Sequence, residues 1–314
     1  MLIIATKLQN QMKTILLFAR IITIVFSVSL LIFSCKKETS GSDLSEKEEE
    51  QASITTSESE AESESIFNEV FDNVIGVNND VGLAGTGVFG RLATNSNLTE
   101  RVAACFVISI THSVQGQEFP LRIEVDFGAG CPGKDGRIRS GKIVTEYTGR
   151  LTVPGKSSVS VFKDYTVDGV KVEGTVKITN TGNITQRQFT VEIINAKLTE
   201  ADGDYTKWNS RRVITQVEGF ITPDLHIDDV FTITGSASGE VKTSTFATTW
   251  ESNIIEPLRK RFACAYISKG IVKIIRRNQA ADSKWVGILN YGNGTCDKNA
   301  TLTVNGVEHQ IILH

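Results

Sequence analysis

Asp224, His226 and Asp228 alternate in "PDLHIDD", residues 223–229. If that stretch is extended, the three side chains share one face, and a carboxylate, imidazole, carboxylate row is an arrangement that holds a metal or orients a general base. The plainer reading is a wet strand edge after Pro223. Other chemistry is weaker. The four histidines form no H-E-x-x-H pattern, and "GSASG" at 235–239 has the outer glycines of a nucleophile elbow but Ala237 at its centre and a strand context. Asp126 with Asp135, and Asn290 with Asp297, offer oxygen ligands around glycine turns, although such residues more often form Asx-turns with their own backbone. No cofactor is expected, and the balance lies against catalysis.

The cysteines carry more information. From Met12, which competes with Met1 as the start, the chain reads as a basic segment, an apolar run from Ile21 to Phe33, and then "FSCKKE". That run is 13 residues, short of the roughly 20 a spanning helix needs, so it reads as an export signal. Ile32, Phe33, Ser34 and Cys35 resemble a bacterial lipobox, with Phe33 bulkier than the usual residue there. Cys35 then becomes an acylated N-terminus bearing palmitate-type chains, each adding about 0.8 kcal/mol of anchoring per buried methylene.

With Cys35 assigned to lipid, four cysteines remain. "RVAACFVIS" (101–109) matches "RFACAYIS" (261–268) with one gap, and "DFGAGC" (126–131) matches "NYGNGTC" (290–296). Two copies of one unit make within-copy pairing the most economical, Cys105 with Cys131 and Cys264 with Cys296. Such loops stabilise by roughly 3 to 4 kcal/mol in the chain-entropy account, and an exported chain permits them. A zinc site would need closer Cys-x2-4-Cys spacing, and "CPGKDGRIRSGKIV" opens no helix after its glycines, which removes a dinucleotide fingerprint.

These residues have to be positioned by the elements around them. Residues 38–65 hold ten acids against Lys47, are rich in serine and show no apolar periodicity, which predicts a disordered acidic tether from Cys35 to residue 65. "SIFNEVFDNVIG" places Ile66, Phe67, Val70, Phe71, Val74 and Ile75 on one helical face, so a short helix and linker are expected over 66–83. From 84 to 314 the pattern is β. In "VKVEGTVKI", Val170, Val172, Val176 and Ile178 alternate with polar residues, and Asp135-Gly136, Asp168-Gly169, Asp202-Gly203 and Asn305-Gly306 favour tight type I′ hairpins. The expected fold is all-β, a large antiparallel sheet folded into a sandwich or incomplete barrel with one short N-terminal helix.

Charge narrows the partners. The acidity is concentrated before residue 66 and the remainder is close to neutral, so nucleic acid is not expected. Arg259, Lys260, Arg261, Arg276 and Arg277 are the one basic concentration, near Phe262, Tyr266 and Trp285. They suit either a site for an acidic glycan or lipid headgroup, or a solvated sheet edge.

The lipobox, the acidic tether, "DFGAGCPGKDGRIRSGKIVTEYTGR", "VDGVKVEGTVKITN", "DDVFTITGSASG" and "NYGNGTCDKNATLTVNGV" together resemble a family of Bacteroidota lipoproteins with no assigned activity. The resemblance implies compartment and fold class and transfers no catalytic residue. It also implies, through Lys36, Lys37 and Glu38 after the cysteine, a lipid-anchored outer-membrane protein with the cell surface favoured over the periplasmic face. The expected role is noncatalytic binding or structural service, with the membrane, and a glycan or envelope protein, as partners. Two alternatives are an envelope hydrolase or metal-assisted enzyme using Asp224, His226 and Asp228, and a carrier of lipid or another apolar ligand.

Overall fold

The computed structural model describes residues 44–83, 85–87, 105–133, 136–220, 222, 226–277 and 279–313. The expected signal segment 1–34, Cys35, the first part of the expected tether, Asp135 and Asp224 lie outside the described residues. Among those described, fourteen strands form one antiparallel sheet. They are β1 (Val107–His112), β2 (Leu121–Asp126), β3 (Cys131–Pro132), β4 (Ile138–Tyr147), β5 (Ser157–Val167), β6 (Val170–Asn180) and β7 (Gln188–Thr199). The chain continues through β8 (Tyr205–Glu218), β9 (Val230–Lys242), β10 (Ala247–Arg261), β11 (Lys269–Arg276), β12 (Gly287–Asn293), β13 (Asn299–Val304) and β14 (Val307–Ile312).

Each strand pairs with its chain neighbour, except that β2 pairs with β4 and the short β3 pairs only with β4. The sheet is not closed into a barrel: β1 and β14 are its two edges. The all-β expectation therefore holds as one large open antiparallel sheet. Alternation explains the strands, since on β6 Val170, Val172, Val176 and Ile178 are buried while Lys171 and Lys177 face water. Asp168-Gly169 and Asn305-Gly306 both have positive φ at each residue, as type I′ hairpins require. At Asp202-Gly203 only Gly203 does, and Asp202 instead accepts a hydrogen bond from the Asp204 N–H at 3.0 Å, so that connection is a longer turn.

Both disulfides are present, Cys105–Cys131 and Cys264–Cys296, with Cα atoms 5.4 and 5.8 Å apart. The first ties the chain entering β1 to β3. The second ties the β10–β11 connection to the β12–β13 connection.

The largest departure from expectation is the acidic segment. Residues 46–65 are not a tether. They form the first two-thirds of a helix, α1 (Glu46–Gly76), 31 residues long, where only a short helix from residue 66 was expected. Ser45 and Glu48 make a capping box at its start. Its second half behaves as the periodicity says, with Ile66, Phe67, Val70, Phe71, Val74 and Ile75 all buried. The first half is buried for a different reason. Small side chains, Ala52, Ser53, Thr56, Ser57, Ala61 and Ser63, allow the sheet to approach closely, and the carboxylates have cations and donors waiting on the strands. Composition treats a serine and glutamate run as solvated because it counts no partners. Here the partners lie some 150 to 230 residues further along the chain.

Glu60 is the centre of that arrangement. Its Oε2 accepts the indole N–H groups of Trp208 on β8 and Trp250 on β10, at 2.8 and 2.9 Å, and its Oε1 accepts the Ser252 hydroxyl at 2.5 Å. The Arg212 guanidinium donates to Glu60 at 3.1 Å and to Glu64 at 2.6 Å. Gly239 on β9 sits in register between the two tryptophans, and a Cβ there would lie 2.2 Å from the Trp250 ring. Glycine at 239 is what lets the two indoles converge. Further along α1, Glu69 accepts from Arg139 at 2.5 Å, and Asp72 pairs with Lys260 at 2.7 Å.

Candidate functional site

The expected row of Asp224, His226 and Asp228 does not form as a strand face. His226–Asp228 is a single 3-10 turn, Asp224 lies outside the described residues, and Asp228 accepts the Thr222 hydroxyl at 2.6 Å. Helical turn spacing carries Asp228 away from the imidazole and brings in the next residue. His226 Nδ1 lies 3.1 Å from Oδ2 of Asp229, which is fully buried at the start of β9. Asp229 was not singled out in the sequence, although it completes the "HIDD" quartet and a buried acid there was not legible from alternation.

Asp229 joins three elements. Its Oδ1 accepts from the Gln216 amide at 2.6 Å, the same amide donates to the Glu218 carbonyl at 3.0 Å, and the Arg187 guanidinium donates to the Gln216 Oε1 at 2.8 Å. Arg187 Nη1 is 3.6 Å from Asp229 Oδ2. Gly219, with φ of 91°, leaves room for this carboxylate, since a Cβ at 219 would lie 2.1 Å from Asp229 Oδ1. Burial pulls the Arg187 pKa down, and the charge of Asp229 works against that.

Above this network is a cleft of about 520 Å³ between the β4–β5, β6–β7 and β8–β9 connections. Arg187, Gln216 and Asn180 form its polar side, and Val153, Ile184 and Phe220 its rim. The rim is open to solvent, with Ile184 100% exposed and Phe220 52%. Its loops are ordered by their own side chains. Asn180 donates to the Leu151 carbonyl at 2.7 Å and accepts from the Gly182 N–H at 2.9 Å, and Asn183 accepts from the N–H groups of Thr185 and Gln186, each at 2.9 Å. Apolar side chains around a partly neutralised guanidinium suit a ligand or partner segment with an apolar body and one polar group.

No family model, curated protein or solved structure matches the chain. The remaining candidates must be judged on their surroundings alone. Among the described residues no group of three or more His, Cys, Asp or Glu is placed to hold a metal ion. Asp126 accepts from the Gly128 N–H at 2.8 Å, Asn290 from Gly292 at 2.9 Å and Asp297 from Asn299 at 2.8 Å, so these are Asx-turns. The Gly128 N–H, with Lys142 beside it, holds the Asp126 pKa below the usual range.

The basic concentration is divided between the two faces of the sheet. Lys260 and Arg276 are buried against α1, where Lys260 pairs with Asp72 and Arg276 with Glu49. Burial pushes the Asp72 carboxyl up to about 6, with Lys260 opposing it. Arg259 pairs with Glu218 outside. These cations therefore do not form one ligand surface. Trp208 and Trp250 are core, and Trp285 is half-buried with the Lys284 ammonium 4.5 Å from its ring centre.

Proposed function

We propose that this chain is a noncatalytic binding module of the cell envelope, anchored through a lipid on Cys35 and presenting the cleft beside Arg187 to a partner. The observation that carries the reading is polarity along α1. Its first turn lies beside the β11–β12 connection, where Lys284 pairs with Glu46 at 2.6 Å. Its last turn lies beside the β4–β5 connection, where Tyr147 donates to the Val74 carbonyl and the Leu151 N–H donates to the Val81 carbonyl. About 46 Å of helix separates those ends. The cleft, with its exposed Val153, Ile184 and Phe220, is at the far end, while a lipid on Cys35 would attach through the ten residues that precede the capping box. Those residues extend at most about 36 Å. The cleft and the start of the helix, from which the chain runs back toward Cys35, thus lie at opposite ends of α1.

Two observations weigh on the alternatives. The His226–Asp229 pair has an orienting carboxylate, yet Asp229 is also committed to Gln216 and Arg187, which is the pattern of a structural clamp. The apolar face of the sheet, which a lipid carrier would keep free, is packed against α1 in one buried cluster.

The test is photocrosslinking on intact cells with p-benzoylphenylalanine at position 184, combined with mass analysis of the N-terminal peptide. A triacylated Cys35 and a discrete crosslinked envelope component are expected. An uncleaved or unlipidated N-terminus would refute the anchor, and crosslinks no different from those at an outward β6 position such as Lys171 would refute the cleft.

A further inference from the structure

On the outer face of the sheet, the side opposite α1, β8 to β11 set their outward residues in register. Lys207, Glu240 and Thr249 form one row, Asn209, Ser238, Glu251 and Ile275 the next, and Arg211, Ser236 and Asn253 a third. The middle of this face is sunken. "GSASG" on β9 has no side chain beyond a hydroxymethyl; Gly239 admits the indole on the inner face, and Ser236 and Ser238 leave a depression on the outer one. Two adjoining hollows, of about 760 and 360 Å³, share Asn209, Ser238 and Glu251. A wall rises on one side because the chain after β11 folds back over the sheet. Lys273 Nζ donates to the Ala281 carbonyl at 2.8 Å and holds that connection against the outer face, while the Arg277 N–H extends the β10–β11 ladder to the Thr249 carbonyl at 2.7 Å and the Gln279 amide reaches Glu49 on the α1 side at 3.2 Å.

The chemistry of the groove restricts its occupant. The strands beneath are interior to the sheet, so their backbone groups are spent in the ladder and only side chains can recognise a ligand. The floor is hydroxyl and amide, which gives little reward to an apolar ligand. Charge is close to balanced, since Lys207 is paired with Glu240 at 3.1 Å and Arg211 with Glu192 at 2.6 Å. Glu251 and Arg277, of opposite sign, have no partner among the described residues, and neither do the side chains of Ser236, Ser238 and Asn253. A polyanion or polycation would meet as much repulsion as attraction. Asn209 Oδ1 already accepts the Asn195 N–H at 2.7 Å, which leaves its amide N–H groups for a ligand. What suits this open row of water-exposed donors and acceptors, with Ile275 and Ala281 at the side, is a neutral chain dense in hydroxyl groups and carrying apolar C–H faces.

We propose that this groove binds a segment of a neutral oligosaccharide, with Asn209, Ser238, Glu251 and Arg277 as its principal hydrogen-bonding residues. It is separate from the cleft beside Arg187 and does not depend on that reading.

The test uses the full lipidated chain in phospholipid nanodiscs, free of sugar-headed detergent, titrated calorimetrically with maltohexaose, cellohexaose and mannohexaose and with hexagalacturonate as the acidic comparison. Saturable binding of at least one neutral hexasaccharide is expected, with a dissociation constant under about 1 mM and at least about tenfold weaker binding of hexagalacturonate. Glu251→Gln, an exposed change that loses a charged acceptor, should weaken binding about tenfold, and Ser238→Trp should abolish it by filling the floor. Circular dichroism identifies either variant if it misfolds. Failure of all three neutral chains to saturate, equal binding of the acidic one, or full affinity in folded Glu251→Gln would overturn the proposal. So would loss of binding in Ile184→Ser with retention in Glu251→Gln, which would place the sugar in the cleft.

Discussion

Glu60 and Arg212 show how much can depend on a single carboxylate in a dry interior. Glu60 receives two indole N–H groups, a hydroxyl and a guanidinium, and Arg212 also neutralises Glu64, with side-chain exposures of 4% for the arginine and 2% or less for both acids. Removing the cation leaves two buried carboxylates facing each other. Arg212→Ala should therefore cost about 3 to 5 kcal/mol, read as a fall in the urea midpoint with little change in slope. Glu62, one helical position beyond the buried face, makes a different prediction. Burial, then the Glu200 and Glu58 charges, push its pKa up to about 7 from 4.5, with Arg137 opposing. The folded state thus holds the proton more tightly than the unfolded chain, so this group's stabilisation is complete below about 4.5 and is lost as pH rises through about 7. Glu62→Gln should flatten the fall in melting temperature between pH 5 and pH 8 and be the more stable protein at pH 8; an unchanged pH profile would refute it.

At the scale of elements, α1 is the piece that decides the architecture. Deleting residues 46–59 would be harmless in a tether. In a helix whose Glu49 pairs with Arg276 and whose Ser53 donates to the Trp285 carbonyl, deletion should yield a chain that fails to unfold cooperatively in calorimetry. The strands, the hairpins at Asp168-Gly169 and Asn305-Gly306, and both disulfides were legible because each leaves a local mark: alternation, a turn dipeptide, a repeated cysteine context. The first half of α1 left none. Its apolar stripe stops at Ile66, and the stabilising partners of Glu49 and Glu60 are strand residues that window-by-window reading never sets beside them. The same blindness hid Asp229 and sent Lys260 and Arg276 to the surface, where arginine and lysine usually belong.

For the whole molecule, the open sheet is held at two stations. Cys105–Cys131 lies near the β1 edge, and Cys264–Cys296 near the β14 edge, closing loops of 26 and 32 residues. Each should contribute roughly 3 to 4 kcal/mol, so the Cys264→Ser, Cys296→Ser double variant should melt at lower temperature while remaining membrane-associated. Release of that variant into the soluble fraction would refute anchoring through Cys35.

Because α1 precedes every strand that packs on it, the order in which the chain leaves the ribosome matters. Glu60 finds Trp250 only 190 residues later, and Ser53 finds Trp285 after 232. These contacts are far apart in sequence, and folds that depend on such contacts assemble slowly. The second half of α1 meets β4 after about 70 residues, but its first half lacks its partners until β8 to β12 have been made. A newly made chain therefore carries this acidic, serine-rich segment unpaired until the later strands are present, and its composition keeps it hydrated meanwhile. The composition that resembles a linker is the composition that keeps a core helix soluble until its strands arrive.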